Sequence, residues 1–287
     1  VNLQPEPYYP RHTILKEHIS YFYFLRTEAD FEAKYYAFPH THTVLNIHQQ
    51  AGTLFEQQYI TQVYEDAAVP YLTSVQGIRE VPLLAHLRGR LNKVTILFKP
   101  LGLNQFIRRP FQDVIVSPSQ LFTCWDNDPP YHHFLQSFYA TADNHIRAAL
   151  LEDYLLLLYH PLPEYQVLKK AIELLSDFEV GLSVEAISLQ LGLNERTFNR
   201  LFNKHLGVSP VVYRKVARFR HSLQNKLFEN EFNRMTDLAY RSNFYDQAYF
   251  NKIYRQLTGL NPQRFFSDIN QLADDQLIFQ FIKSEAV

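Results

Sequence analysis

Two stretches of this chain repeat each other at an offset of 52 residues: FNRLFNKHLGVSPVVY from Phe198 to Tyr213, and FNKIYRQLTGLNPQRF from Phe250 to Phe265. Phe198 pairs with Phe250, Asn199 with Asn251, Arg200 with Lys252 and Leu201 with Ile253. Further along, Phe202 pairs with Tyr254, Gly207 with Gly259, Pro210 with Pro262 and Tyr213 with Phe265. A solenoid needs three or more units to bury a continuous core, so two copies point instead to a duplicated binding unit.

Each copy has the pattern of a helix, a tight turn and a second helix. In the first, Ser183 is a suitable N-cap for VEAISLQL, whose Val184, Ile187 and Leu191 share one helical face. Gly192-Leu193-Asn194 supplies the turn, with Gly192 free to take positive φ and Asn194 able to cap the next helix. That helix, from about Glu195 to Leu206, buries Phe198, Leu201 and Phe202 and is closed by Gly207. Its outward residues are Arg196, Asn199, Arg200 and Asn203, a hydrogen-bonding face of the kind that reads base edges. In the second copy, Thr236 or Asn233 is the expected cap of a helix around Asp237–Arg241, and Ser242-Asn243-Phe244 the turn. The following helix, from about Asp246 to Leu257, buries Phe250, Ile253, Tyr254 and Leu257 and exposes Gln247, Asn251, Lys252 and Arg255.

Charge supports this reading once the chain is divided. The net charge of −1 is an average: residues 1–160 hold 12 Lys/Arg against 15 Asp/Glu, whereas residues 161–270 hold 15 against 11. From Arg196 to Phe228 there is no acidic residue, but there are Arg196, Arg200, Lys204, Arg214, Lys215, Arg218, Arg220 and Lys226. Such a one-sided helical stretch can neutralise phosphates and release counterions. A connecting helix from Pro210 to about Phe228 would span about 28 Å, close to the roughly 34 Å of one DNA turn.

With these residues in view, the region from about Glu164 to Asp268 resembles the DNA-binding domain of the AraC/XylS family. NFYDQAYFNKIYRQLTGLNPQRF is similar to that family's second helix-turn-helix and following helix, and LNERTFNRLFNKHLGVSPVVYRKVARF to its first recognition helix and linker. The resemblance implies base reading by Arg196, Asn199 and Arg200 in the first unit, and by Gln247, Asn251 and Lys252 in the second. Phosphate contacts are expected from Asn203, Lys204, Arg214, Lys215, Arg218, Arg220 and Arg255. Asn243 stands where the family usually has Gly, and Lys252 where Arg is common; Asn tolerates the left-handed region, but Lys lacks the planar fork that grips guanine. Implied partners are double-stranded DNA, RNA polymerase, a second copy of the chain and a small-molecule effector; the implied role is a transcription regulator, an activator by family prevalence.

Residues 1–110 are short apolar or alternating runs separated by turn residues: ISYFYFL (19–25), KYYAF (34–38), TVLNIH (43–48), TLFEQQYI (53–60), AVPYLTSVQG (68–77), LLAHLRG (83–89) and KVTILF (93–98). Their aromatic and β-branched content predicts a cupin-like, all-β barrel or sandwich. Helices are expected over Leu101 to Arg108, Tyr131 to Ala140 and Asp143 to Tyr159, and HPLPEY (160–165) as a linker. KVTILFKPLGLNQFI also resembles a motif in an uncharacterised sensor domain that precedes AraC-type domains. The expected fold class is therefore α+β and multidomain: a sensing or dimerisation domain over 1–160, an all-α, seven-helix DNA-binding domain over 164–268, and a tail over 269–287.

The remaining candidates have ordinary explanations. His40 and His42, with His48 nearby, could share a strand face, but no third metal ligand is placed by sequence. His132-His133 follows two prolines at a helix start, and Cys124-Trp125 is a packing pair before it is a redox site. Cys124 is the single cysteine, which excludes intramolecular disulfides and cysteine-based zinc clusters. No phosphate loop, dinucleotide loop or nucleophile elbow occurs, so neither an enzyme nor a cofactor is expected. No apolar run reaches the roughly 18 residues of a membrane span, and no basic flank with an apolar core opens the chain; a cytoplasmic location is expected.

Overall fold

A computed structural model describes residues 6–57, 59–228, 235–244, 246–272 and 277–281. It divides into two compact units, and the division runs through two strands of the N-terminal half. One unit comprises 1–34, 42–77 and 85–162; the other comprises 35–41, 78–84 and 163–287.

The elements of the N-terminal half are, in order, β1 (Pro7–Tyr8), α1 (Thr13–His18), β2 (Ile19–Arg26), β3 (Glu32–Ala37), β4 (Thr43–Gln49), β5 (Ala51–Glu56), β6 (Ile60–Glu65), β7 (Tyr71–Gln76), β8 (Leu83–Arg88), β9 (Asn92–Phe98), α2 (Phe111–Val114), β10 (Ser119–Leu121), α3 (Pro129–Ala140) and α4 (Asn144–Leu158). Each of the other apolar runs contains a strand, whereas TLFEQQYI (53–60) spans the end of β5, the turn and only the first residue of β6. The sequence signals missed α1 and α2, which are too short for a helical period to stand out. The expected helix over 101–108 is one 3-10 turn, Leu103–Phe106, whereas Asp143 caps α4 by accepting from the His145 and Ile146 amides.

In the first unit the strand order β1-β2-β9-β4-β7-β10 makes a six-stranded sheet with antiparallel pairing between neighbours. The sheet ends on β1 and β10 rather than closing on itself, so the cupin-like expectation holds as a sheet-rich region and not as a closed barrel. Alternation sends Phe22, Phe24, Leu45, Ile47, Val75, Val94, Ile96 and Phe98 into one core with Phe134, Phe138, Leu151, Tyr154 and Leu155 of α3 and α4. Tyr139 ties α3 to the sheet through a 2.8 Å bond from its hydroxyl to the Ile47 carbonyl.

In the second unit the described residues of 163–287 hold seven helices: α5 (Tyr165–Ser176), α6 (Val184–Gln190), α7 (Glu195–Leu206), α8 (Pro210–Phe228), α9 (Met235–Arg241), α10 (Gln247–Thr258) and α11 (Pro262–Asp268). The segment expected as a tail carries two antiparallel strands, β11 (Asn270–Leu272) and β12 (Leu277–Phe281). Within this unit β12 pairs with residues 35–37 at the end of β3. Phe38, from the N-terminal half of the sequence, joins the core formed by Phe219, Phe250, Tyr254, Leu257 and Phe265.

Candidate nucleic-acid interface

The two sequence copies fold alike down to their caps. Asn194 accepts from the Thr197 amide at the start of α7, and Asp246 from the Tyr249 amide at the start of α10. Both helices have 12 residues and both end on a left-handed glycine, Gly207 (φ 72°) and Gly259 (φ 78°). Each glycine leads to a helix that begins with proline, and Asn261 caps α11 through the Arg264 amide. Upstream, Ser183 caps α6 as its sequence suggests, and Gly192 turns the chain at φ 69°. In the second copy Thr236 lies inside α9 rather than at its cap, and Asn233 lies outside the described residues.

An aromatic triad is duplicated behind α7 and α10. Phe198 and Phe202 lie 5.7 Å apart, and Phe202 and Tyr213 meet edge-on at 5.5 Å. Their counterparts repeat the arrangement, Phe250–Tyr254 at 4.6 Å and Tyr254–Phe265 at 5.6 Å. All six rings are buried. These contacts fix the roll of α7 and α10 and so decide which residues each helix turns outward.

Arg196 and Arg200 on α7, and Gln247, Lys252 and Arg255 on α10, are exposed; Asn199 and Asn251 are partly exposed. Asn199 donates to the Glu195 carbonyl at 2.9 Å and Asn203 to the Asn199 carbonyl at 3.0 Å, so both amides bond along their own helix. Connecting helix α8 has 19 residues, about 28 Å long.

Several expected phosphate contacts already have internal partners. Lys204 reaches Glu164 at 3.4 Å, and the same carboxylate lies 3.7 Å from the buried His205. Lys215 pairs with Glu80, which also accepts from Gln256 at 3.2 Å. The Arg218 guanidinium lies over the Phe178 ring at 5.4 Å and the Phe244 ring at 5.8 Å, and burial lowers its pKa. Arg214 is half-buried, its pKa lowered by burial and by Arg218. Arg220 is partly exposed and is electrostatically coupled to Tyr254. The charge pattern had no means of separating these side chains, because pairing and stacking depend on residues remote in sequence.

Asn243, where glycine was expected by resemblance, adopts φ 54° and donates to the Phe178 carbonyl. Elsewhere, His42 bonds Ser20 at 2.9 Å, His132 bonds the Asp126 carbonyl at 2.7 Å, and the buried Trp125 donates to the Phe106 carbonyl at 3.0 Å. His40 is buried. Among the described residues no three His, Cys, Asp or Glu side chains converge as a metal site, and no helix is long and apolar enough to cross a membrane.

Comparison with known proteins agrees with the local geometry. The model of a helix-turn-helix domain family of the AraC type matches residues 187–268. No curated protein matches the sequence. Among solved structures, ToxT from Vibrio cholerae is similar at 11% identity over 86% of this chain and 97% of that one, with a TM-score of 0.46. A second ToxT structure, with an unsaturated fatty acid bound, is similar at 14% identity, 84% and 96% coverage and a TM-score of 0.43. The capped, duplicated helix pairs and the family match lead to one conclusion: the C-terminal part of this chain is an AraC/XylS-type helix-turn-helix domain, the domain of a DNA-binding transcription regulator and not of an enzyme.

Proposed function

We propose that residues 164–268 bind duplex DNA with α7 and α10 in successive major grooves on one face, and that residues 1–160 sense an effector that changes how the two helices are presented. The observation that carries the DNA reading is the duplicated recognition helix with its exposed polar face: Arg196, Asn199 and Arg200 on one copy, Gln247, Asn251 and Lys252 on the other. These six read bases. Asn203, Lys204, Arg214, Lys215, Arg218, Arg220 and Arg255 serve the phosphates, and those with internal partners exchange them on binding. Family resemblance supports an activator that acts with RNA polymerase and as a homodimer.

An unbiased selection of DNA sequences with the full chain tests this. Two short motifs about 10 base pairs apart are the expected result. One motif alone would leave the second unit as an architectural part and overturn the paired reading.

A further inference from the structure

The aromatic triads behind α7 and α10 end on the repeat pair Tyr213 and Phe265, and one short segment from the N-terminal half of the sequence touches both. Phe38 is buried and packs edge-on against Phe265, with ring centres 4.8 Å apart. Thr41, a little further along, shares a hydrogen bond with the Tyr213 hydroxyl, which also bonds Ser176 at the end of α5. Residues 35–41 belong to the same compact unit as these helices, whereas β3, which leads into them, begins at Glu32 in the other unit.

The segment is held from two directions. Along Tyr35–Ala37 its backbone pairs with β12. From the neighbouring segment 78–84, the buried Arg79 donates through one Nη to the Ala37 carbonyl at 2.8 Å and to the Phe38 carbonyl at 3.3 Å. One guanidinium nitrogen gripping two successive carbonyls fixes the backbone that carries Phe38, and its charge strengthens both bonds. Behind Phe38, Phe265 meets Tyr254 of α10 at 5.6 Å, and the Tyr254 hydroxyl shares a 2.8 Å bond with Ser222 of α8. Behind Thr41, Tyr213 meets Phe202 of α7 at 5.5 Å. A line of contacts therefore runs from Phe202 on α7 through Tyr213, the segment from Thr41 back to Phe38, and Phe265 to Tyr254 on α10.

A connecting helix such as α8 fixes the distance between two bodies better than their rotation about its axis. A second link, away from that axis, removes the remaining freedom. We propose that residues 35–41 are this second link, a brace in which Phe38 and Thr41 are positioning residues that restrict DNA recognition to half-sites at one spacing. The proposal rests on the paired DNA reading above and adds what sets the spacing. One extra base pair between half-sites turns the second by about 35° and moves it about 3.4 Å along the duplex. Helices joined only through α8 can follow such a change by rolling, whereas braced helices cannot. Because β3 runs from the other unit into the brace, a segment of the first half of the sequence sets a property of the DNA site.

Two measurements on the full chain test this. In the first, spin labels at Glu195→Cys and Ala248→Cys, exposed at the starts of α7 and α10, report the distance between the helices by pulsed electron resonance, with Cys124→Ala removing the native thiol. One narrow distance is expected, at least two-fold broader once Phe38→Ala and Thr41→Val are combined. Phe38→Leu and Thr41→Ser keep the apolar contact and the hydroxyl, and should restore the narrow distance. If the combined variant unfolds by circular dichroism, Thr41→Val alone serves, since it removes one hydroxyl and leaves the aromatic core intact. In the second, the duplex selected by the wild type is compared with duplexes whose two motifs lie one base pair closer or further apart. The wild type should lose ten-fold or more in affinity at the altered spacings and the brace variant three-fold or less, a ratio that a general loss of stability does not move. A wild-type distance as broad as the variant's overturns the brace, and so does a variant that keeps the wild-type spacing preference, whatever its affinity. A wild type that binds only one motif overturns the paired DNA reading instead, and the distance widths then decide by themselves whether the brace exists.

Discussion

The carboxylate of Glu80 accepts from Lys215 on the connecting helix and, at 3.2 Å, from Gln256 on the second recognition helix. An acidic residue from the N-terminal half of the sequence thus neutralises Lys215, one of the residues we propose for the phosphates. Its loop belongs to the same compact unit as the helices, with Arg79 beside it donating to the Ala37 carbonyl at 2.8 Å. Glu80→Gln keeps the shape and removes the charge. The variant should bind DNA a few-fold more tightly, with a salt slope steeper by about one ion as Lys215 becomes available. Anisotropy titrations at several salt concentrations measure both, and an unchanged slope would remove Lys215 from the phosphate contacts.

Arg200 is exposed on α7, and its alanine variant should lose roughly 1–3 kcal/mol of binding free energy together with base preference in one half of the site. Competition between matched and mismatched duplexes reads both effects. If Arg200→Ala binds every duplex as the wild type does, the face assigned to α7 is wrong.

Arg218 has the opposite expectation. Its guanidinium lies over the Phe178 and Phe244 rings, so its first expected role is packing. Arg218→Ala should lower stability by about 1 kcal/mol, the usual size of a partly buried cation–π contact. Urea unfolding paired with a salt titration separates the roles: lost stability at constant slope assigns packing, and a shallower slope at constant stability assigns phosphate.

Asn243 holds the second turn at φ 54° and bonds the Phe178 carbonyl. Asn243→Ala keeps neither the tolerance for that conformation nor the bond, and should cost about 1–2 kcal/mol. Asn243→Gly restores the conformation but not the bond and should cost less. Equal losses in chemical unfolding would show that the backbone angle contributes nothing.

Lys93 predicts an unusual pH dependence. Its pKa is 10.5 when unfolded and about 8 when folded, so between these values the unfolded chain binds the extra proton and stability rises with pH. Below pH 8 the penalty is fully present. Lys93→Met should therefore be more stable than wild type at pH 7, by on the order of 3 kcal/mol, and the gap should close between pH 8 and 10.5. Unfolding curves across that range would reveal a constant gap if Lys93 were not desolvated.

The helix-turn-helix copies were legible in the sequence because their determinants are local. Caps such as Ser183 and Asn194, the left-handed Gly192, Gly207 and Gly259, and aromatic residues at helical spacing act within a few residues of themselves. The strands of the first half were legible for the same reason, through alternation. What local pattern could not hold was pairing between distant parts of the chain. That β12 joins β3, that Glu80 meets Lys215, and that Arg218 lies between Phe178 and Phe244 all depend on chain packing. So does the burial of Lys93 beside His48: in the sequence they are two ordinary polar residues on strands. The 52-residue repeat therefore determined by itself that this chain presents two recognition helices. Only the tertiary structure decided which of its charges are already engaged and which are buried, because those energies depend on neighbours brought together by the fold.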